Sequence, residues 1–171
     1  MSAAANILTS NSSDWLTPPD LAERIRELGS GIALDPCANR QGFVKATVEW
    51  HGPPGVDGLD GDWVLAAAGG LVFVNPPYGR GLCDWTGKVL EEANRGAEIA
   101  LLLPARTDTA YWKDVIHAQE ICFIWGRLRF HAPGRGPVTS ATFPSVLAYF
   151  GEREGRFRRI FGELGWMRGA R

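Results

Sequence analysis

The chain has 171 residues, with 18 Lys and Arg against 19 Asp and Glu and a net charge of −1 at pH 7. That length predicts a single α/β core with a sizeable interior. No stretch approaches the roughly 18 consecutive apolar residues of a membrane span, and the N-terminus lacks a basic, apolar leader pattern, so nothing argues for membrane or export. Cys37, Cys83 and Cys122 are widely spaced with no C-x-x-C pair, and His51, His117 and His131 lack ligand spacing. This excludes a disulfide framework and a zinc cluster, and predicts a cytoplasmic protein with reduced thiols and no metal.

In chain order, residues 1–12 are small and polar and read as a disordered N-terminus. Leu21, Ile25 and Leu28 recur at helical spacing behind Thr17-Pro18-Pro19, which predicts a helix over about 17–28 with Thr17 as its cap and Gly29 as its stop. A short strand follows at 31–35 and a second at Ala46–Trp50, and Gly52-Pro53-Pro54-Gly55 is loop chemistry. Asp57–Gly70 is ambiguous, with a short helix around Trp63–Ala68. Strand 71–74 leads through a Gly-rich loop to a helix from about Asp84 to Arg95. Ile99–Leu103 is a continuous apolar run and reads as the next parallel strand. A helix over Thr109–Ala118, a strand at Glu120–Trp125 with Arg127–Phe130 as its neighbour, and a final strand at Ser145–Phe150 complete the pattern. Strands alternating with helices predict a mostly parallel sheet with helices on both faces and antiparallel strands at the C-terminal end.

The tetrapeptide Asn75-Pro76-Pro77-Tyr78 ends the apolar run Leu71–Val74, and Pro-Pro can continue neither a helix nor a ladder. It therefore falls at a strand's carboxyl end, where open α/β sheets place their ligand crevices. Its chemistry suits methyl transfer to an amino group conjugated with a ring or a carbonyl, whose delocalised lone pair makes it a poor nucleophile. The Asn75 side-chain oxygen and the Pro76 carbonyl can each accept one N–H, drawing that nitrogen toward tetrahedral geometry. Pro77 stiffens the loop, as preorganisation requires, and Tyr78 offers a flat face for a base. The competing reading is a plain strand-ending turn.

Asp35-Pro36-Cys37 ends an earlier strand in the same manner. A cofactor bearing both a carboxylate and an ammonium can be held between a hydroxyl such as Thr17 and an acid such as Asp35. Asp57 is either an adenosine-binding acid or an ordinary turn residue, and Glu49 stands where nucleotide-binding sheets place a ribose-binding acid. Arg106 follows Pro104 at a strand end, facing the crevice or pairing with Asp108 or Asp114. Trp85 and Trp112 read as packing residues.

Taken together, Trp15-Leu16-Thr17-Pro18-Pro19, Leu34-Asp35-Pro36-Cys37-Ala38, Asp57-Gly58-Leu59 with Trp63, and Val74–Gly79 resemble the small phage-type DNA N6-adenine methyltransferases. Leu103–Thr109 with Trp112, Gly126–Phe130 and Phe143-Pro144-Ser145 extend the resemblance, which runs from about Ser13 to Phe150. It implies a Rossmann-like methyltransferase domain over 13–150 that uses S-adenosylmethionine, with Asn75, Pro76, Pro77 and Tyr78 as the catalytic loop. Trp15, Thr17, Asp35, Pro36, Cys37 and Asp57 are the expected cofactor contacts. The implied reaction is site-specific methylation of adenine N6 in double-stranded DNA, with the base flipped out of the helix. The same chemistry on RNA adenine or a protein glutamine amide is the alternative, and an inactive nucleic-acid-binding relative the remaining one. Unlike larger DNA methylases, the chain has no long target-recognition insert, which suits a monomer or a small homo-oligomer.

The charge distribution bears on the nucleic acid. The segment 151–171 has six arginines against three glutamates, a net +3, which leaves −4 for the first 150 residues. It reads as a basic C-terminal tail, either solvated or phosphate-binding. Arg127, Arg129 and Arg135 with Phe130 suit phosphate contact and base stacking, and Arg106 joins them as a candidate; a solvated strand edge and loop is the other reading of that stretch.

Overall fold

A computed structural model describes residues 15–131 and 141–168. Its seven strands form one sheet: β1 (Leu34–Asp35), β2 (Val48–Glu49), β3 (Leu71–Val74), β4 (Glu98–Pro104), β5 (Glu120–Ile124), β6 (Ser145–Phe150) and β7 (Gly165–Arg168), in the order β2-β1-β3-β4-β6-β5-β7. The pairs β1–β2, β1–β3 and β3–β4 are parallel, whereas β4–β6, β5–β6 and β5–β7 are antiparallel. Three pairings are parallel and three antiparallel, so the sheet is mixed and not mostly parallel, while its antiparallel strands do lie at the C-terminal end as expected. The reason is β6, which runs antiparallel between β4 and β5 and is then followed by a second antiparallel edge strand. The N-terminal 12 residues of the expected disordered segment lie outside the described residues.

Helices do cover both faces. On one lie α1 (Pro19–Gly29) and α5 (Glu154–Phe161), whose Ile25, Leu28, Phe157 and Phe161 pack with Phe73, Leu102 and Leu147. On the other lie α2 (Trp63–Ala67), α3 (Leu82–Asn94) and α4 (Trp112–Val115), with Trp63, Val89 and Val115 against Val72, Leu101 and Val146. β3 and β4 are buried almost end to end because both faces are roofed, which explains their unbroken apolar sequence.

Three local expectations are revised. Thr17 does not cap α1; the cap position belongs to Pro18, without a side-chain bond. Gly29 does not make the stop either: Ser30 turns left-handed at φ 56°, and Gly29 is needed because a Cβ there would meet Leu71 Cβ at 2.5 Å. Arg127–Phe130 forms no strand beside β5, whose neighbours are β6 and β7.

The strand Ser145–Phe150 is not the last. Residues 151–168 carry α5 and β7, and four of the six arginines of the expected tail are built into the fold. Arg158 pairs with the buried Glu120 at 2.7 Å, Arg153 pairs with Glu98 at 3.1 Å, and Arg168 donates to the carbonyls of Ile116 and Ala118 at 3.1 and 2.7 Å. Arg156 donates to Glu27 O and to the Ser30 hydroxyl. No helix among the described residues is long and apolar enough to cross a membrane.

Candidate active site

Because β1, β3 and β4 are parallel, Asp35, Asn75 and Pro104 emerge together at one edge of the sheet. A cavity of about 220 Å3 opens there, lined by Trp15, Pro36, Cys37, Asp57, Asn75 and Trp85 among others. A smaller one of about 30 Å3 adjoins it and adds Thr17, Asp35 and Glu49 while sharing Trp15, Cys37 and Asn75. All six residues expected to contact the cofactor therefore line one cleft, and Asn75 belongs to both halves. A larger hollow of about 830 Å3 lies at the opposite edge, beside Glu98, His117 and Arg153. It touches none of the motif residues, so its size carries no chemistry.

Asn75 is fixed from three directions. Its amide nitrogen donates to Trp15 O at 3.2 Å and to Thr17 Oγ1 at 3.1 Å, and its Oδ1 accepts the Tyr78 hydroxyl at 2.8 Å. The buried Thr17 hydroxyl thus orients Asn75 across the strand end, a tertiary role in place of the helix-capping one. With the nitrogen engaged inward, the amide oxygen faces Tyr78, the polarity that accepting an N–H demands.

Asp35 is 4% exposed, and its Oδ1 accepts the Cys37 N–H at 3.0 Å in a tight turn beyond Pro36. Burial raises its carboxyl from 3.8 to about 7, and the nearby Glu49 pushes in the same direction. With no cationic partner among the described residues, its charge is expensive, the condition in which a bound ammonium is most strongly favoured. Burial, with Asp35 adding to it, also holds the Cys37 thiol well above its usual range, so Cys37 is no nucleophile.

Asp57 makes a local turn and also lines the cleft: its Oδ1 accepts the Leu59 N–H at 3.0 Å, and the residue faces the larger cavity. The turn is pressed onto the end of β1, since a Cβ at Gly58 would sit 2.1 Å from Pro36 O. The Trp63 indole donates to Gly58 O at 2.7 Å from beneath. Trp85 packs on Trp63, centroids 6.3 Å apart, and lines the cavity as well.

On the other side of Asn75, Tyr78 and Phe130, both expected to face a base, are joined by Phe143 in one aromatic group. Tyr78 meets Phe143 and Phe130 edge to face, with centroids 5.5 and 6.1 Å apart. Arg106 lies over Phe143 with its guanidinium carbon 5.6 Å from the ring centre. No ion pair among the described residues joins Arg106 to Asp108 or Asp114; Asp114 accepts from Thr86 instead. Arg127 and Arg129 are exposed on the segment that delivers Phe130 to this group, whereas Arg135 lies outside the described residues. In the sequence the signal for both phenylalanines is their place in Gly126–Phe130 and Phe143-Pro144-Ser145; that they meet around Tyr78 is a tertiary result.

An α/β sheet with a buried acid at one strand end, Asn-Pro-Pro-Tyr at the next and a cleft between them has the organisation of an amino-group methyltransferase. The model of the family described as DNA N-6-adenine-methyltransferase (Dam) matches residues 4–160, and the chain belongs to that family. Membership implies N6-methylation of adenine in DNA in general, by enzymes that generally use S-adenosylmethionine. No curated protein and no solved structure matches the chain.

Proposed function

We propose that this protein transfers the methyl group of S-adenosylmethionine to the exocyclic N6 of an adenine flipped out of double-stranded DNA, within a Rossmann-like fold. The observation that carries the reading is the position of Asn75, which lines the cofactor cleft on one side and meets Tyr78 and its aromatic neighbours on the other. A single residue between the two half-sites is what direct transfer between two bound molecules needs.

The residues fit the cofactor's chemistry. Asp35 is a buried acid with no cation paired to it among the described residues, suited to an ammonium, and the Thr17 hydroxyl lies on the same wall. Trp15, Pro36 and Trp85 give the cleft apolar surface, and Asp57 offers a carboxylate to hydroxyl groups. At about 220 Å3 the cavity is below the roughly 300–1,000 Å3 of ordinary ligand pockets, which suits a group lying along a cleft with part of it exposed. When bound, the cofactor supplies a sulfonium-activated methyl group, so no metal is required.

Asn75 Oδ1 and the Pro76 carbonyl accept the two N6 hydrogens and aim the nitrogen lone pair toward the cleft. The Tyr78 ring, held by Phe130 and Phe143, stacks on the adenine. Arg106, Arg127, Arg129 and Arg135 hold phosphates around the opening. Supplying tritiated cofactor with duplex DNA, RNA and a glutamine-bearing peptide, then digesting the product to nucleosides, tests the assignment. Label in N6-methyladenosine from RNA, or in the peptide, in place of N6-methyldeoxyadenosine would overturn it. Sequencing host DNA at single-molecule level then shows whether methylation is site-specific.

A further inference from the structure

β5 ends at Ile124 on the catalytic edge, and residues 125–131 leave it as a strap fastened at three points. Trp125 N–H donates to Leu164 O at 2.9 Å, Ala141 N–H donates to Leu128 O at 2.9 Å, and Leu16 and His131 exchange backbone bonds at 3.0 and 3.1 Å. After a left-handed turn at Gly126, burial alternates: Leu128 and Phe130 turn inward while Arg127 and Arg129 stand exposed, and Trp125 is exposed on the other side of that turn. That is the two-residue period of an extended chain, which sets Arg127 and Arg129 roughly 6–7 Å apart on one side.

Trp125 is 70% exposed, forgoing the burial that usually draws an indole inward. Neither Arg127 nor Arg129 joins an ion pair among the described residues. At the inner end of the strap, Phe130 touches Tyr78. From Phe130 to Trp125 the chain reaches at most about 17 Å, or five nucleotide rises of about 3.4 Å. An indole beside two unpaired guanidinium groups, on a fixed track leading from the target pocket, is complementary to a strand of nucleic acid. A second copy of the chain docked two-fold here would set these arginines against their own counterparts, an unfavourable pairing.

We propose that Trp125 stacks on a nucleobase of the substrate DNA within about five nucleotides of the target adenine, while Arg127 and Arg129 hold the phosphates between. This rests on the DNA reading of the active site. The indole keeps the duplex in register on the side away from the cofactor, and any base can serve because every base has a stacking face.

The test uses a fluorescent duplex containing a site first mapped as methylated by the wild-type protein. Trp125→Ala should weaken DNA binding at least about fivefold, with the salt slope and cofactor affinity unchanged, and Trp125→Phe should retain most of the affinity. Moving an abasic site along the duplex should reveal one position where the wild type loses the same factor and Trp125→Ala loses nothing more. Three outcomes would overturn the proposal: Trp125→Ala binding like wild type, Trp125→Phe falling as far as Trp125→Ala, or sedimentation showing that Trp125→Ala breaks a dimer. A wild-type protein that methylates no DNA adenine refutes the underlying reading; one that methylates normally while Trp125→Ala is unaffected refutes this inference alone.

Discussion

The Tyr78 hydroxyl donates to Asn75 Oδ1 at 2.8 Å, so the acceptor assigned to the target N6 is satisfied from within the catalytic loop. Burial pushes the phenol well above its ordinary range, which keeps it a donor at any physiological pH. An incoming adenine N–H competes with the phenol for this oxygen, which has two lone pairs to share between them. Removing the hydroxyl while keeping the ring takes away the competitor and preserves stacking. Tyr78→Phe should therefore show kcat/KM at or above wild type, whereas Tyr78→Ala should lose about 1–3 kcal/mol of base stacking, read as weaker binding of the flipped base. Equal damage from both substitutions would assign a direct role to the phenol oxygen.

Asn75→Ala should reduce methylation on the order of a hundredfold or more, the usual cost of one preorganised acceptor. Cofactor affinity should stay within a few-fold, since Asp35 and Thr17 remain. Near-normal turnover with tritiated cofactor would remove Asn75 from the mechanism.

Asp35 makes cofactor binding depend on pH. Burial lifts its carboxyl from the ordinary 3.8 to about 7, so below 7 it is protonated and must lose its proton to hold an ammonium. Affinity measured by calorimetry should rise with pH up to about 7 and level off above it, with Asp35→Asn weaker and flatter. For stability without cofactor the sign is opposite. Between about pH 4 and 7 the folded state binds the extra proton, so Asp35 lowers stability as pH rises through that window. A melting temperature of Asp35→Asn that tracked wild type across it would show that burial does not perturb this carboxyl.

Neutralising Arg127, Arg129 and Arg135 together should flatten the dependence of log K on log salt by up to about 2.7, at about 0.9 per phosphate. An unchanged slope would leave this stretch as scaffold only.

Arg158→Ala should destabilise the protein without changing activity per folded molecule. Its guanidinium satisfies Glu120, which is 1% exposed and whose second carboxylate oxygen has no partner among the described residues. The cost should be about 1–3 kcal/mol by denaturant titration, moderated because Arg158 itself is half exposed. A loss of DNA affinity with stability intact would return the C-terminal arginines to phosphate binding.

The parallel half of the fold was legible in local sequence, because buried two-sided strands need unbroken apolar runs and Pro-Pro must end a ladder. Leu71–Val74, Ile99–Leu103 and the strand ends at Asp35 and Asn75 follow from that rule, and so does a crevice at their shared edge. β7 was missed because Gly165–Arg168 is short and half exposed at a sheet edge, and its Gly-Trp-Met-Arg sequence has no period to betray it. Arg127-Leu128-Arg129-Phe130 reads as a strand because alternating polar and apolar residues mark any extended segment, paired or not.

The sequence by itself determined which residues can perform the chemistry: an amide and a proline carbonyl in a stiff loop, a strand-ending acid, and an aromatic beside them. Only the tertiary structure decided how they are oriented. Thr17 became the partner of Asn75 instead of a helix cap, Phe130 and Phe143 came to wall Tyr78, and four arginines of the C-terminal segment were committed to the fold. The physical reason is that residue type and local spacing fix backbone termination and chemical capacity. Hydrogen bonds between residues 58 positions apart depend on where packing of two helical layers on one sheet brings the strand ends.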